Sequence, residues 1–429
     1  MKTFSNNSIK PDITYYNAPS VKKADVESAE LMVEAKIHQD DDPFKDVPPS
    51  DDFMCDNDRA RQTLGQLTCY ATAHLAAQFR THVFSILLLP ESARLMRWDR
   101  AGLIVSERIP LNSPALKQFF WRFNNADAMG RGHDPTITPF NFTKKLTKKF
   151  LFFELQFDKD PGNLNVKDVK FFQVLLPREN KSYVVGKPTY QGMSALASRA
   201  TRTFKAWCLT THEAVFLKDS WRILSPSLRP EHEIYGKLAA NKVPYIATVL
   251  DYSDVGDQRT ATGNYDQKSW VCKIKLKPFR FLQHYRLVLK EIGRSLTVFD
   301  DFREVLGAMR NALQGKGIRL IRLFLLRNFA AHRESYYNSR VLHRDISAGN
   351  IVIYNNGGLL VDWDMSKDLS LKSNEKNRFR TVGYVSRILD SCAYHLFNTY
   401  RVPGPSNLFV SRNGQGKIRL RSFMVVSMI

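Results

Sequence analysis

The stretch VLHRDISAGNIVIYNNGGLLVDWDMSK, residues 341–367, decides how the rest of the chain is interpreted. An H-R-D triplet ends at Asp345, Asn350 follows five positions later, and Asp362 lies at the far end. Phosphoryl transfer needs oxygen ligands in this order, because one carboxylate orients the attacking hydroxyl while an amide and a second carboxylate bind the metal ions. The stretch therefore predicts a phosphotransferase site.

Two short apolar runs, IVIY and GLLV, connect Asn350 to Asp362, and the residues NNGG separate them. Apolar runs of this length around such a turn are typical of a β-hairpin. Because Asn350 and Asp362 lie at the open ends of the hairpin, we expect them to be close in space. A chance H-R-D beside a hairpin would not supply both further ligands, so we favour the functional interpretation.

The pattern HRDIS-x-GNI, followed by G-L-L-hydrophobic-D-W-D, resembles the signature of the fungal-type protein kinase family. The resemblance covers most of residues 55–383. It extends upstream through FSILLLPESARLMRWDRAGLIVSE, AVFLKDSWR, EIYGKL, VPYIATV and YRLVLKEIGRSL. It implies a bilobal α+β kinase-like fold and ATP-dependent phosphorylation of a serine or threonine in a protein substrate. Asp364, in place of the glycine of D-F-G, and Ser347, in place of a lysine, depart from the usual kinase pattern.

The resemblance assigns roles to the residues of this stretch. Asp345 would orient the substrate hydroxyl, and Arg344 would connect the catalytic loop to the activation segment. Asn350 and Asp362 would hold Mg²⁺, which the family uses together with ATP.

Lys218 ends the apolar run AVFLK and matches the kinase lysine that binds the α- and β-phosphates and pairs with a helix glutamate. A strand lysine is otherwise commonly a surface residue. The glutamate is Glu231 or Glu233 in RPEHEIYGKL. We choose Glu231, because helical periodicity places it with the apolar residues of this segment and Glu233 with the polar ones.

Two further ATP-binding segments rest on the resemblance alone. The family usually shows G-R-G-T-R as its phosphate-binding turn, and this chain has S-R-A-T-R, with Ser198 and Ala200 at glycine positions. Lys290, Glu291 and Ile292 match the hinge, whose backbone would bind adenine.

We predict five segments along the chain. The sequence around them predicts helices beginning near Asp58 and over Ala115–Asn124, a loop over 126–145, and strands at FSILLL, LFFELQF and FFQVLL. The segments are a flexible polar arm (1–53), an N-terminal α+β extension (54–160), the kinase N-lobe and hinge (161–292), a partial kinase C-lobe with the catalytic loop (293–390) and an atypical basic tail (391–429).

Residues 315–331, GKGIRLIRLFLLRNFAA, interrupt the resemblance. We interpret them as translated intron or an insertion, with a lineage-specific helix extension as the alternative. The resemblance fades after Lys367, and no A-P-E-like end of the activation segment follows. We therefore expect a truncated or frame-shifted C-terminus and an incomplete C-lobe.

The net charge of +21 invites a nucleic-acid interpretation. Much of the excess lies in 315–331 and 401–429, where the resemblance fails, so we expect no nucleic-acid partner. The five cysteines are scattered without a C-x-x-C, which argues against a zinc site or disulfide framework and fits an intracellular, cytoplasmic or nuclear protein. We expect no membrane partner, since no apolar run is long enough to span a bilayer. The oligomeric state is left open.

Three other functions stay open on the sequence alone. A pseudokinase that binds nucleotide as a scaffold fits the missing glycines. A small-molecule phosphotransferase fits the H-x-D-x-x-x-x-N pattern without the lysine at Ser347. A basic nucleic-acid binder would be recognised by steep salt dependence of binding.

Overall fold

The computed structural model describes residues 9–17, 25–46, 53–159, 164–192, 195–265, 281–296, 298–299, 304–305, 308, 330–355 and 357–371. The chain divides into two compact units, and both combine helices with strands. The first unit takes its described residues from Met1–Ser225 and Val249–Ile292, and the second from Pro226–Thr248 and Gly293–Ser427.

The first unit holds most of the described strands. Its strands are β1 (Ile13–Tyr16), β2 (Ala29–Ala35), β3 (Val83–Leu88), β4 (Ser92–Trp98), β5 (Leu103–Val105), β6 (Ile109–Pro110), β7 (Ile137–Pro139), β8 (Phe172–Leu176), β9 (Lys181–Val185), β10 (Tyr190–Gln191), β11 (Arg202–Cys208), β12 (Ala214–Ile223), β13 (Val249–Arg259) and β14 (Leu282–Leu289). Its helices are α1 (Asp58–Ala77), α2 (Pro114–Asn125) and α3 (Lys148–Glu154). The predictions of the first two helices, of the strand at FSILLL and of the strand at FFQVLL are confirmed.

A six-stranded sheet carries the order β1-β2-β3-β4-β5, with β6 beside β4. Strands β2 and β3 run parallel, and α1 contributes Leu67 and Leu75 to the core of this part of the unit. The predicted flexible arm is wrong for β1 and β2, since β2 is buried between two neighbouring strands. Its acids Glu30 and Glu34 make the sequence look polar, but each has a basic partner in the fold.

An antiparallel sheet of eight strands carries the order β13-β14-β12-β11-β9-β8-β7, with β10 beside β11. The strand predicted at LFFELQF is wrong, because residues 148–154 form α3. Thr147 accepts a hydrogen bond from the backbone N–H of Phe150 and caps this helix at its N-terminus. Strand β7 interrupts the loop predicted over 126–145 and joins the same sheet as β12, so the predicted boundary at 160/161 falls inside one compact unit.

The second unit contains the hairpin that the sequence predicts. Its elements are α4 (Glu231–Ala240), β15 (Arg294–Ser295), α5 (Ala330–Ser339), β16 (Val341–Leu342), β17 (Ile351–Tyr354), β18 (Gly357–Leu360) and β19 (Lys367–Asp368). Strands β15, β17 and β18 form one sheet, and β16 pairs with β19. The N-lobe predicted over 161–292 is split, since α4 belongs to this second unit.

Several predictions fall outside the described residues. They include residues 315–329 of the interrupting run and the basic tail over 391–429. Only residues 330 and 331 of that run are described, at the start of α5. The bilobal arrangement and the incomplete C-lobe stay predictions. Within the described part of the chain, no helix is both long enough and apolar enough to cross a membrane.

Candidate active site

His343 holds the loop over residues 343–350 through two hydrogen bonds. Its side chain is fully buried, its Nε2 donates to the carbonyl oxygen of Val361 at 2.9 Å, and its Nδ1 accepts from the backbone N–H of Asp345 at 3.3 Å. These two bonds select the neutral tautomer with the proton on Nε2. The imidazole therefore positions Asp345 relative to the residue that precedes Asp362.

Asn350 connects this loop to the end of the hairpin through two hydrogen bonds. Its Nδ2 donates to the carbonyl oxygen of Asp345 at 2.8 Å, and its own carbonyl accepts from the backbone N–H of Val361 at 2.9 Å. Asn350 therefore lies beside the residue that precedes Asp362, and the predicted proximity of the two is confirmed. Because Nδ2 is used in the loop, Oδ1 is the atom that can face a cation.

Two residues of the site have a left-handed backbone. Arg344 has φ 71°, and Asp362 has φ 66° and ψ 60°. This conformation costs about 1–2 kcal/mol for most L-residues, although aspartate tolerates it better than arginine does. Strained residues of this kind cluster at functional sites, where the surrounding structure holds them in place.

Glu231 is the buried member of the two acids that the sequence offered. It begins α4, is 3% exposed, and shares a buried face with Ile234, Tyr235 and Leu238. Its Oε1 accepts from the backbone N–H of Trp363 at 3.0 Å. Glu233 is exposed, so the helical-face argument is confirmed.

Trp363 anchors the D-W-D turn. The indole is fully buried, its Nε1–H donates to the carbonyl oxygen of Leu360 at 3.0 Å, and its ring packs edge-on against His343 with a centroid separation of 4.5 Å. The acids on either side of Trp363 are held on the same short 3₁₀ turn.

Glu231, Asp362 and Asp364 form a carboxylate cluster, with one oxygen of each within 4.8 Å of the others. In the sequence, Asp364 stands out only as the replacement of a glycine, and its proximity to Asp362 and Glu231 was not predicted. The signal was its spacing, two positions after the predicted metal acid. Oxygen ligands of this kind suit a hard cation, so Asp362 and Asp364, together with Asn350 Oδ1, fit Mg²⁺ by their chemistry.

Asp368 joins α4 to the strand that follows the D-W-D turn. Its buried carboxylate accepts from Lys237 Nζ at 2.7 Å and from Arg229 Nε at 2.9 Å. Burial alone would raise the pKa of Asp368, but hydrogen bonds from Lys237 and Ser370 outweigh it and lower the pKa to about 2. No local sequence pattern pointed to this contact.

The remaining predicted residues lie in the first unit. Lys218 is 4% exposed on β12, in register with Thr203 of β11 and Leu287 of β14. The strand placement is as predicted, and its pairing with Glu231 stays a prediction.

Ser198 and Ala200 precede β11. Ala200 has φ 45°, the left-handed region that glycine adopts most easily, and its methyl group is buried in the cluster that contains Trp98 and Trp221. The structure thus explains why glycine would suit this position, and a nucleotide contact at either residue stays a prediction.

Lys290, Glu291 and Ile292 follow the end of β14. The preceding Leu289 is buried and pairs in register with Phe216 of β12. The three residues are at least partly accessible, and their role in adenine binding stays a prediction.

A family model described as fungal protein kinase matches residues 29–388. The chain belongs to the fungal protein kinase family. The match begins at Ala29, the first residue of β2, which agrees with the burial of this strand in the first unit. It includes every predicted site residue. No curated protein matches the chain.

Proposed function

We propose that this fungal kinase family member transfers the γ-phosphate of ATP to a serine or threonine hydroxyl of a protein substrate. The observation that carries the proposal is the arrangement of Asp345, Asn350 and Asp362 around the β17–β18 hairpin, held by His343. Hydrogen bonds hold the backbone of Asp345 and the amide of Asn350, and the carboxylate of Asp362 lies near those of Glu231 and Asp364. Positioning of this kind supplies most of the catalysis in phosphoryl transfer.

Asp345 would accept a hydrogen bond from the substrate hydroxyl and orient its oxygen toward the γ-phosphate. Asn350 and Asp362 would hold Mg²⁺, with Asp364 available as a further carboxylate. The bound cation supplies neutralisation of the phosphate charge. Arg344 would connect the catalytic loop to the activation segment.

The residues of the first unit would hold the nucleotide. Lys218 would bind the α- and β-phosphates, and Lys290, Glu291 and Ile292 would offer backbone groups to adenine. Ser198 and Ala200 would lie over the phosphates with less backbone freedom than glycine allows. We therefore expect turnover below the roughly 1–100 per second that is usual for kinases.

A second candidate function is a nucleotide-binding scaffold that transfers no phosphate. The observation that favours it is the conformation of Ala200, which has a left-handed backbone and a buried methyl group. Alanine is less mobile than the glycine that the family usually has at this position. Ala200 belongs to the first unit and residues 343–362 to the second, so we rank transfer first.

The test of the proposed function is incubation of the full chain with γ-labelled ATP, Mg²⁺ and a mixture of protein substrates, followed by identification of the labelled amino acid. Label on serine or threonine is the expected result. ATP binding without any label would favour the scaffold, and label that appears only on added small molecules would favour a small-molecule phosphotransferase.

A further inference from the structure

A small cavity lies inside the first unit, among residues that the proposed function does not use. Its volume is about 20 Å³, enough for one water molecule or one monatomic ion. The charged and polar side chains that line it include Arg80, Arg100, Arg202, Asp134, Asp219 and His284.

Among the residues that line the cavity, Arg100 has two N–H groups without a hydrogen-bond partner in the described part of the chain. The residue is 2% exposed, and its Nη2 donates to the carbonyl oxygen of Leu75 at 3.0 Å. Its Nε and Nη1 are buried and have no hydrogen-bond partner among the described residues. It is costly to bury the donors of a charged group without hydrogen bonds. We therefore expect an acceptor for these two atoms in the cavity.

Charge around the cavity is out of balance. Arg80 pairs with Glu30 at 2.9 Å, and Arg286 pairs with Asp134 at 2.6 Å. With these partners included, the described residues place four guanidinium groups and three carboxylates around the cavity. The guanidinium groups belong to Arg80, Arg100, Arg202 and Arg286, and the carboxylates to Glu30, Asp134 and Asp219. Asp99 also lies near Arg100 but is paired with Arg97 at 3.1 Å, which leaves the excess unchanged.

His284 lies between two acceptor groups beside the cavity. Its Nδ1 lies 2.6 Å from Gln258 Oε1, and its Nε2 faces Asp219 Oδ1. Gln258 donates through Nε2 to Asp134 Oδ1 at 2.7 Å, which leaves Oε1 as an acceptor toward the ring. Both ring nitrogens of His284 therefore face acceptor atoms.

Helix α1 offsets part of this charge. Arg100 and Arg202 donate to the carbonyl oxygens of Leu75, Ala76 and Gln78 at the C-terminal end of the helix, where the macrodipole supplies about half a negative charge. These bonds explain why arginines lie here, but they leave Nε and Nη1 of Arg100 unmatched. Burial and the neighbouring Arg202 lower the pKa of Arg100 only to about 9, so the guanidinium is charged at neutral pH.

We propose that the cavity binds one monovalent monatomic anion of chloride size, with Nε and Nη1 of Arg100 as donors. A water molecule would accept the same hydrogen bonds but would leave the positive excess in place. The anion would stabilise the packing of α1 against β11.

The test compares the melting temperature of the full chain in sodium chloride, sodium bromide and sodium gluconate at equal ionic strength. Chloride and bromide should raise the melting temperature by about 3 °C or more, and the rise should saturate with concentration. Gluconate is too large for the cavity and should give no such rise. Equal melting temperatures in the three salts would overturn the proposal and would point to a water molecule.

The variant Arg100→Met removes both donors and should abolish the difference between chloride and gluconate. The matched control is Arg222→Met, because Arg222 also lies in the first unit but pairs with Asp254 at 2.6 Å. The control should keep the difference. A full chloride response in Arg100→Met would contradict the assignment. If that variant does not fold, anomalous scattering from parent crystals grown in bromide decides the question: a peak beside Arg100 supports the site, and its absence refutes it.

Discussion

The backbone N–H of Trp363 donates to Glu231 Oε1 at 3.0 Å, and this bond joins the first residue of α4 to the centre of the D-W-D turn. The same helix is joined to β19 by the Lys237–Asp368 contact at 2.7 Å. Two contacts that start six residues apart in α4 therefore hold this helix against the segment that carries Asp362 and Asp364. A helix held in this way keeps Glu231 beside Asp362 and Asp364.

Glu231→Gln tests whether the carboxylate charge matters beyond its hydrogen bond to Trp363. Glutamine can still accept that bond, so we expect stability to fall by no more than about 1 kcal/mol. Phosphate transfer should fall about 10- to 100-fold, because Glu231 would lose the charge that Lys218 faces under the proposed function. Transfer rate and unfolding free energy are measured together. The matched control is Glu233→Gln, since Glu233 is exposed on the same helix, and equal transfer by the two variants would contradict the role of Glu231.

Asp362→Asn tests the metal assignment without disturbing the backbone. Asparagine adopts the left-handed conformation as aspartate does, whereas Asp362→Ala would add conformational strain. We expect Asp362→Asn to weaken the effect of Mg²⁺ on ATP affinity at least tenfold while the melting temperature stays within about 2 °C of the parent. Calorimetric titration of ATP with and without Mg²⁺ measures this. If Mg²⁺ does not change the ATP affinity of the parent, the assignment of Asp362 as a metal ligand is wrong.

Asp368→Asn should destabilise the chain in a pH-dependent way. The pKa of Asp368 is about 2 in the folded chain against an ordinary 3.8, so its charged form favours folding. This contribution is complete above about pH 4 and is lost as the pH falls toward 2. We expect the variant to lose about 1–3 kcal/mol of unfolding free energy at pH 7, and the difference from the parent should narrow between pH 4 and 2. Denaturant unfolding across this range checks it, and a difference that grows at low pH would contradict the ion-pair account.

Gly358→Ala should disrupt the hairpin. A Cβ at Gly358 would lie 2.2 Å from the backbone oxygen of Ala308, so the backbone would have to move. We expect a loss of about 2 kcal/mol or more. Gly236→Ala is the matched control, because a Cβ there meets no atom within 4 Å and alanine favours the helix, so stability should rise by about 0.5–1 kcal/mol. If the two variants have similar unfolding free energies, the close packing of Gly358 against the backbone of Ala308 is contradicted.

Local patterns predicted the hairpin and the burial of Glu231 in contrast to the exposed Glu233. Both depend on short-range periodicity, which the sequence carries in full. The N-terminal strands were missed because the acids of β2 look like solvent-exposed charge until Arg80 and Lys36 are brought beside them.

The apolar run LFFELQF was misassigned because periodicity does not separate a short buried helix from a strand. The N-terminal cap at Thr147 favours a helix here, but Thr147 lies before the apolar run. Contacts such as Asp368 with Arg229 join residues far apart in the chain, so no local pattern predicts them.

The proposed phosphate transfer depends on Asp345, so the decisive measurement compares transfer by the parent with transfer by Asp345→Asn. Asp345 is placed by His343 and Asn350, and asparagine keeps the size of the side chain while it removes the charge that orients the hydroxyl. We expect the parent to transfer label from γ-labelled ATP to serine or threonine. We expect Asp345→Asn to lose at least about 100-fold in rate while it binds Mg²⁺ and ATP as the parent does. Equal transfer by the two proteins would show that Asp345 does not have the proposed role.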